Sequence, residues 1–395
     1  MTRSVEQHVP APSGGLADHL QTADKPRPAD DAMAAADREP LVRRVKRFGE
    51  EVLLPRALDT DRHGVTAQTI TELSSLGALN HLAPPEYGGV ALDRTADRRL
   101  HELLAYSCFN TWLVWAQHAP TVGRVAGLHA KGVRHPLAAR VLRGDVLIGA
   151  GLSDVRRFPD RYVRATRSGD GWRFGGTISW VSGWGLNSML ILAAVEAESE
   201  RVVVALVPVG DRMEAGPLDL AAVAGSRTQR VHLHDVAVPD EYVLAVQPLA
   251  EYRAADRAMA SDARAHVFGL AHRVLDELRQ EETAGSVAER WAPRVAELRE
   301  RAYALSDEAL STTDHSHRLQ ERLALKVAAG ETVAALSRAL LIARSGRGLA
   351  TDNTAQLHAR SALFVLVQGQ TPQVRSAQLA DAGAPSLGTA GLSAL

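Results

Sequence analysis

The chain has 395 residues, of which 46% are hydrophobic and 23% charged, with a formal net charge of −1. That length exceeds what one core usually serves and suits two or three packed units. The balanced charge leaves no basic footprint for nucleic acid, and the lone cysteine, Cys108, excludes an internal disulfide.

Residues 1–37 carry Pro10, Pro12, Pro26 and Pro28 and few large apolar side chains. Such a stretch buries too little surface to offset its ordering entropy, so a disordered tail is expected. The first twenty residues lack an apolar core of the secretory kind. No run of roughly 18 apolar residues follows anywhere, so neither export nor membrane insertion is expected. A cytoplasmic protein is the resulting expectation.

Helical periodicity begins at Leu41, Val45 and Phe48 and stops at Pro55. A second helix is expected over Ala67–Leu76, closed by Gly77. After the loop Pro84–Gly89, helices are expected over Arg94–Ser107 and from Phe109 into Gln117 and His118. Cys108 lies in this apolar stretch and reads as a core filler. Residues 38–145 thus form an N-terminal helical domain.

The period changes at Val146. Strands are expected over Val146–Gly151, Tyr162–Arg167, Trp172–Trp180, Met189–Val195, Val202–Val209 and Arg230–Val238. Gly169-Asp170-Gly171 is a hairpin signal. Residues 146–245 are read as a small β-barrel or sandwich. Helical periodicity returns after Pro248, with helices expected over Glu251–Glu282, Val287–Leu310, His317–Ala343 and Asn353–Ala380. Residues 246–382 then form a C-terminal four-helix bundle, with a short flexible tail over 383–395.

Three local segments extend this reading. Pro84-Pro85-Glu86-Tyr87-Gly88-Gly89 follows the second helix. Gly175–Gly183 contains Trp180-Val181-Ser182, and Val231–Pro239 ends Asp235-Val236-Ala237-Val238-Pro239. In order and spacing they resemble motifs of the acyl-CoA dehydrogenase family, over roughly residues 40–380. The resemblance implies an α+β fold of helical domain, β-barrel and four-helix bundle, with FAD as cofactor. It also implies an acyl thioester substrate, on CoA or a carrier protein, and a homodimer or homotetramer.

Carried over residue by residue, Trp180 would stack on the flavin ring, with Val181 beside it and Ser182 hydrogen-bonded near N5. Ser153 stands where the family's earlier flavin strand carries a Thr-Glu pair, which is missing here. The family's Arg-x-x-Phe-Gly pyrophosphate element has no match. A second phosphate element is echoed at Arg344, Gly346 and Gly348.

The family's catalytic carboxylate aligns with Gln368, and an amide cannot accept the α-proton. A displaced base is sought at Asp262, or second at Asp256, on the first bundle helix. His118 is the candidate acid or base if the chain instead performs oxygen chemistry, as related flavin monooxygenases do. A third reading is a scaffold subunit that has lost FAD. No metal site is expected, since the His232/His234 pair has no third ligand.

Overall fold

The computed structural model describes residues 28–383. Most of the expected N-terminal tail, and residues 384–395, lie outside them. Helix α1 (Pro28–Arg38) corrects the reading of residues 28–37 as tail. Its Met33 and Ala36 are buried, and Asp37 accepts from Arg99 Nε at 2.7 Å. Packing on a neighbouring helix supplies the order that its own composition does not.

Six more helices complete the first unit: α2 (Pro40–Phe48), α3 (Ala57–His63), α4 (Ala67–Ser75), α5 (Arg94–Ser107), α6 (Phe109–Ala130) and α7 (Ala138–Leu142). Side-chain caps set two of their starts. Thr66 accepts from Thr69 N at 3.1 Å and Asp93 from Ala96 N at 2.8 Å. Pro55 follows a single π-helical turn, Gly49–Leu53. In the Pro84–Gly89 loop, a Cβ on Gly89 would lie 2.1 Å from Ala83 O, so only glycine fits there.

The middle unit contains β1 (Ile148–Gly151), β2 (Arg164–Ser168), β3 (Gly171–Val181), β4 (Met189–Glu196), β5 (Arg201–Pro208), β6 (Met213–Gly216), β7 (Gln229–Pro239) and β8 (Val243–Pro248). They form one eight-stranded sheet in the order β6-β7-β3-β2-β4-β5-β8, with β1 parallel to β4. Strand β4 shows why the apolar run is continuous. Met189, Ile191, Ala193 and Val195 join a core with Val122 and Val125 of α6 and Val141 of α7. Leu190, Leu192 and Ala194 join a second core with Phe174, Ile178 and Val231. A strand buried on both faces has no polar alternation to show. Strands β6 and β8 are additions to the sequence reading.

The last unit corrects that reading in two places. The first expected bundle helix is two, α8 (Leu249–Ala260) and α9 (Ala265–Gln280). The last is also two, α12 (Thr354–Val367) and α13 (Pro372–Gly383). Between them run α10 (Gly285–Leu310) and α11 (Leu319–Arg344). Gly369 at φ 62° and Pro372 account for the second interruption. At the first, Asp262 lies between the two helices and forms an ion pair with Arg322, Oδ1 to Nε 2.7 Å. The two interruptions meet in space. Lys326 of α11 donates to Ala260 O at 2.6 Å and to Gln368 O at 3.2 Å.

Candidate functional site

Where those interruptions meet, a cavity of ≈ 220 Å³ opens between the sheet unit and the bundle. Leu152 and Ser153 line it from the segment after β1, and Asp256, Asp262, Arg264 and His266 from α8, α9 and their link. Lys326 comes from α11, and Gln368 and Gly369 from the link between α12 and α13. Four residues singled out in the sequence, Ser153, Asp256, Asp262 and Gln368, therefore share one cavity although more than 200 positions separate the first from the last.

The cavity is dense in charge. Arg156 meets Asp256 in a two-pronged pair, 2.6 and 2.8 Å, and also reaches Gln370 O at 3.4 Å. Asp262 Oδ1 is taken by Arg322, while Oδ2 has Ser306 Oγ at the longer distance of 3.4 Å. Each carboxylate thus has its own arginine. Arg264 and Lys326 are left over. Among the described residues Arg264 donates only to Met259 O, 3.0 Å, and Lys326 only to two backbone carbonyls.

Burial pushes the Lys326 ammonium down to about 8, and the charges of Arg264 and Arg156 add to that. Burial also lowers Arg264. That side chain is exposed by area yet ringed by protein, as expected for a group bordering a cavity.

His266 is 3% exposed and its Nε2 has no hydrogen-bond partner. Its ring stacks on Trp112, with centroids 3.9 Å apart and planes at 18°. Burial holds it well below its ordinary range, with the Gln368 side chain pulling the other way. The imidazole is therefore neutral at pH 7. Arg156, Arg264, His266 and Lys326 escaped the sequence reading. Only Lys326, a rare lysine in an arginine-rich chain, offered a signal.

The other predicted residues lie elsewhere. His118 is fully buried, with Nε2 2.6 Å from Leu79 O and Nδ1 accepting from Ile148 N at 3.3 Å. Both ring nitrogens are occupied, and burial holds the ring at about 4. It ties α6 to β1 and does not line the cavity.

Trp180 keeps 39% of its surface open between buried Ser179 and Val181. Its ring lies 6.3 Å from that of Phe364, one residue from cavity-lining Val365. Ser182 bonds Thr228 Oγ1 at 2.8 Å, and Thr228 bonds Ser226 Oγ at 2.7 Å. An open indole and a buried hydroxyl chain on neighbouring residues fit a flavin ring, which needs one flat apolar wall and a few fixed polar groups.

The phosphate element reads differently. Arg344 is committed inside the bundle, to Glu277 at 2.8 Å, Glu281 at 2.7 Å and Thr354 Oγ1 at 2.7 Å. Gly348 is buried against Leu341, and Gly346 faces open space. The exposed guanidinium on that turn is Arg347.

Comparison with known proteins agrees with this architecture. The family described as "Acyl-CoA dehydrogenase, N-terminal domain" matches residues 35–129. A probable acyl-CoA dehydrogenase, YngJ of Bacillus subtilis, is 26% identical over 211 residues, 49% of this chain and 54% of that protein. The match thus spans about half of the relative's length.

Butyryl-CoA dehydrogenase from Megasphaera elsdenii superposes with a TM-score of 0.67 at 16% identity, covering 89% of this chain and 98% of that one. A glutaryl-CoA dehydrogenase from Mycobacterium smegmatis, in complex with FADH2, gives 0.69 at 16% identity, covering 89% and 95%. At such identities the structural likeness speaks for the fold alone. Residues 35–129 thus match the N-terminal domain of acyl-CoA dehydrogenases, and the order of helices, sheet and helices is the fold those enzymes share.

Proposed function

We propose that the protein is a flavin-dependent oxidoreductase that takes an acyl thioester, on CoA or a carrier protein, into the cavity between sheet and bundle. The observation that carries this reading is the convergence of Ser153, Asp262 and Gln368 on that one cavity. Trp180, Val181, Ser182 and Ser153 would hold the flavin ring, with FAD the form expected from the family. When bound, a flavin supplies the acceptor for a hydride from the acyl chain. The chain's own residues must do the rest. Arg264 and Lys326 place positive charge on the cavity wall at the α8–α9 link. Gln368 positions it, since an amide donates and accepts hydrogen bonds but takes no proton. Asp262 Oδ2, the oxygen left free by Arg322, is the atom placed to take an α-proton.

A second reading rests on a specific observation. Both carboxylates in the cavity are paired with arginines, which suits a flavin-dependent monooxygenase that needs no α-proton acceptor. The exposed apolar side chains of Ile342, Leu349, Leu363 and Val367 on α11, α12 and their link support self-association as a homodimer or homotetramer.

The deciding experiment is the absorption spectrum of the purified protein, followed by anaerobic mixing with acyl thioesters. Bleaching of a flavin band by thioester supports the desaturase. A band that bleaches only with an external reductant, and product that appears only with oxygen, supports the second reading. A colourless protein that gains no band with added FAD or FMN refutes both, and leaves the scaffold role.

A further inference from the structure

The charges in the cavity do not cancel. Asp256 is neutralised by Arg156 and Asp262 by Arg322, each through bonds of 2.6–2.8 Å. Among the described residues, Arg264 and Lys326 line the same cavity with no carboxylate within 4.0 Å. Their acceptors are backbone carbonyls, which carry no net charge. Two cations without a carboxylate partner on one cavity wall give it a positive potential that favours an anionic occupant. Burial is the first cause of the lowered proton affinity of both groups, and neighbouring arginines add to it.

His266 points to a ligand independently. It is 3% exposed, lines the cavity, and leaves Nε2 without a partner. A buried polar nitrogen is rarely left unsatisfied. The Trp112 stack fixes the plane of the ring. As the Nε2–H tautomer this neutral imidazole is a donor at the same wall.

We propose that the cavity recognises a carboxylate, with Arg264 and Lys326 as its cationic partners and His266 Nε2 as a neutral donor. The substrate class that follows is an acyl thioester whose far end carries a second acid group, a dicarboxylic monothioester. This class rests on the acyl-thioester reading above. Asp256 and Asp262 argue for a single carboxylate, because a second negative charge in the cavity would face their own.

The test is calorimetric titration of the full chain with S-succinyl- and S-adipoyl-pantetheine against S-butyryl- and S-hexanoyl-pantetheine, matched in carbon number. Charge-assisted hydrogen bonds of this kind correspond to roughly tenfold to a hundredfold in affinity, so the acids should bind at least about tenfold tighter. Arg264→Gln and Lys326→Met should each erase most of that preference, and Arg264→Lys should restore part of it. Lys326→Met also removes two internal hydrogen bonds. Arg264→Gln, which loses only the bond to Met259 O, is the variant that decides. Equal affinity within each carbon-matched pair, or a preference intact in Arg264→Gln, overturns the proposal. Binding of free adipate without binding of any thioester overturns the acyl-thioester reading and leaves the carboxylate site standing.

Discussion

Replacing Arg344 with alanine separates two uses of one guanidinium. In the structure Arg344 is a bundle residue. It bonds Glu277 at 2.8 Å and Glu281 at 2.7 Å, and its side chain is 13% exposed. Glu277 is 1% exposed and also receives Arg273 at 2.8 Å and His358 Nε2 at 2.8 Å. That set of partners overcomes the burial that would raise its pKa and holds the Glu277 carboxyl far below the usual carboxylate range. Removing one partner from a buried, hydrogen-bonded ion network costs about 3–5 kcal/mol, and the half-buried Glu281 contact adds little. The thermal midpoint of the bundle, followed by circular dichroism, should fall on the order of 10 °C. Flavin bound per folded chain should stay unchanged. A midpoint within about 2 °C of the parent together with lost flavin would falsify this assignment and make Arg344 a ligand for the pyrophosphate.

The remaining predictions concern the cavity and the ring site. Lys326 is depressed in the folded chain to about 8, so between there and the ordinary lysine value the unfolded state binds more protons. Stability should therefore rise with pH across that window, and Lys326→Met should flatten the rise in urea titrations at about pH 7 and 10. Trp180→Ala should lower flavin content more than Ser182→Ala, through lost stacking against a single hydrogen bond of roughly 1 kcal/mol; unchanged content in both would remove the ring from this strand. Gln368→Glu should place an ionised carboxylate beside Arg264 and Lys326 and increase flavin reduction by a thioester, whereas reduction no faster than the parent's would move the α-carbon away from this position. His118→Phe should destabilise the fold by about 1–3 kcal/mol through the orphaned Leu79 carbonyl and Ile148 amide, with activity per folded chain retained.

The three-part order was legible because each unit announces itself by period. The change at Val146 and the return after Pro248 fall close to Ile148 and Leu249, where the structure switches. Strand β6 was not legible. Its Met213-Glu214-Ala215-Gly216 has neither length nor alternation and is a strand only because it pairs with Arg230–Leu233. Helix α1 was missed because its order comes from Arg99 and a neighbouring helix face. The interruption at Ser261–Arg264 carries no proline or glycine; a long-range ion pair with Arg322 sits there instead.

The site was half legible for the same reason. Ser153, Trp180, Ser182, Asp262 and Gln368 are residues to which a family resemblance points. Arg156, Lys326 and the neighbouring Arg264 and His266 stand on three separate segments, and only their convergence makes them a set. Arg344 and His118 show the reverse. A residue type suited to chemistry was found, and the partners that occupy it lay 67 and 39 positions away at Glu277 and Leu79.

The lysine that ties the ends of two broken helices has one more property. An ammonium carries three N–H groups, and Lys326 uses two of them, on Ala260 O and Gln368 O. Loss of the third proton, at about 8, leaves an amine with two N–H groups and a lone pair. Two N–H groups suffice for both carbonyls, and the lone pair replaces the remaining donor. Above that pH the cavity wall at Lys326 therefore offers a lone pair where it offered a positive charge below it.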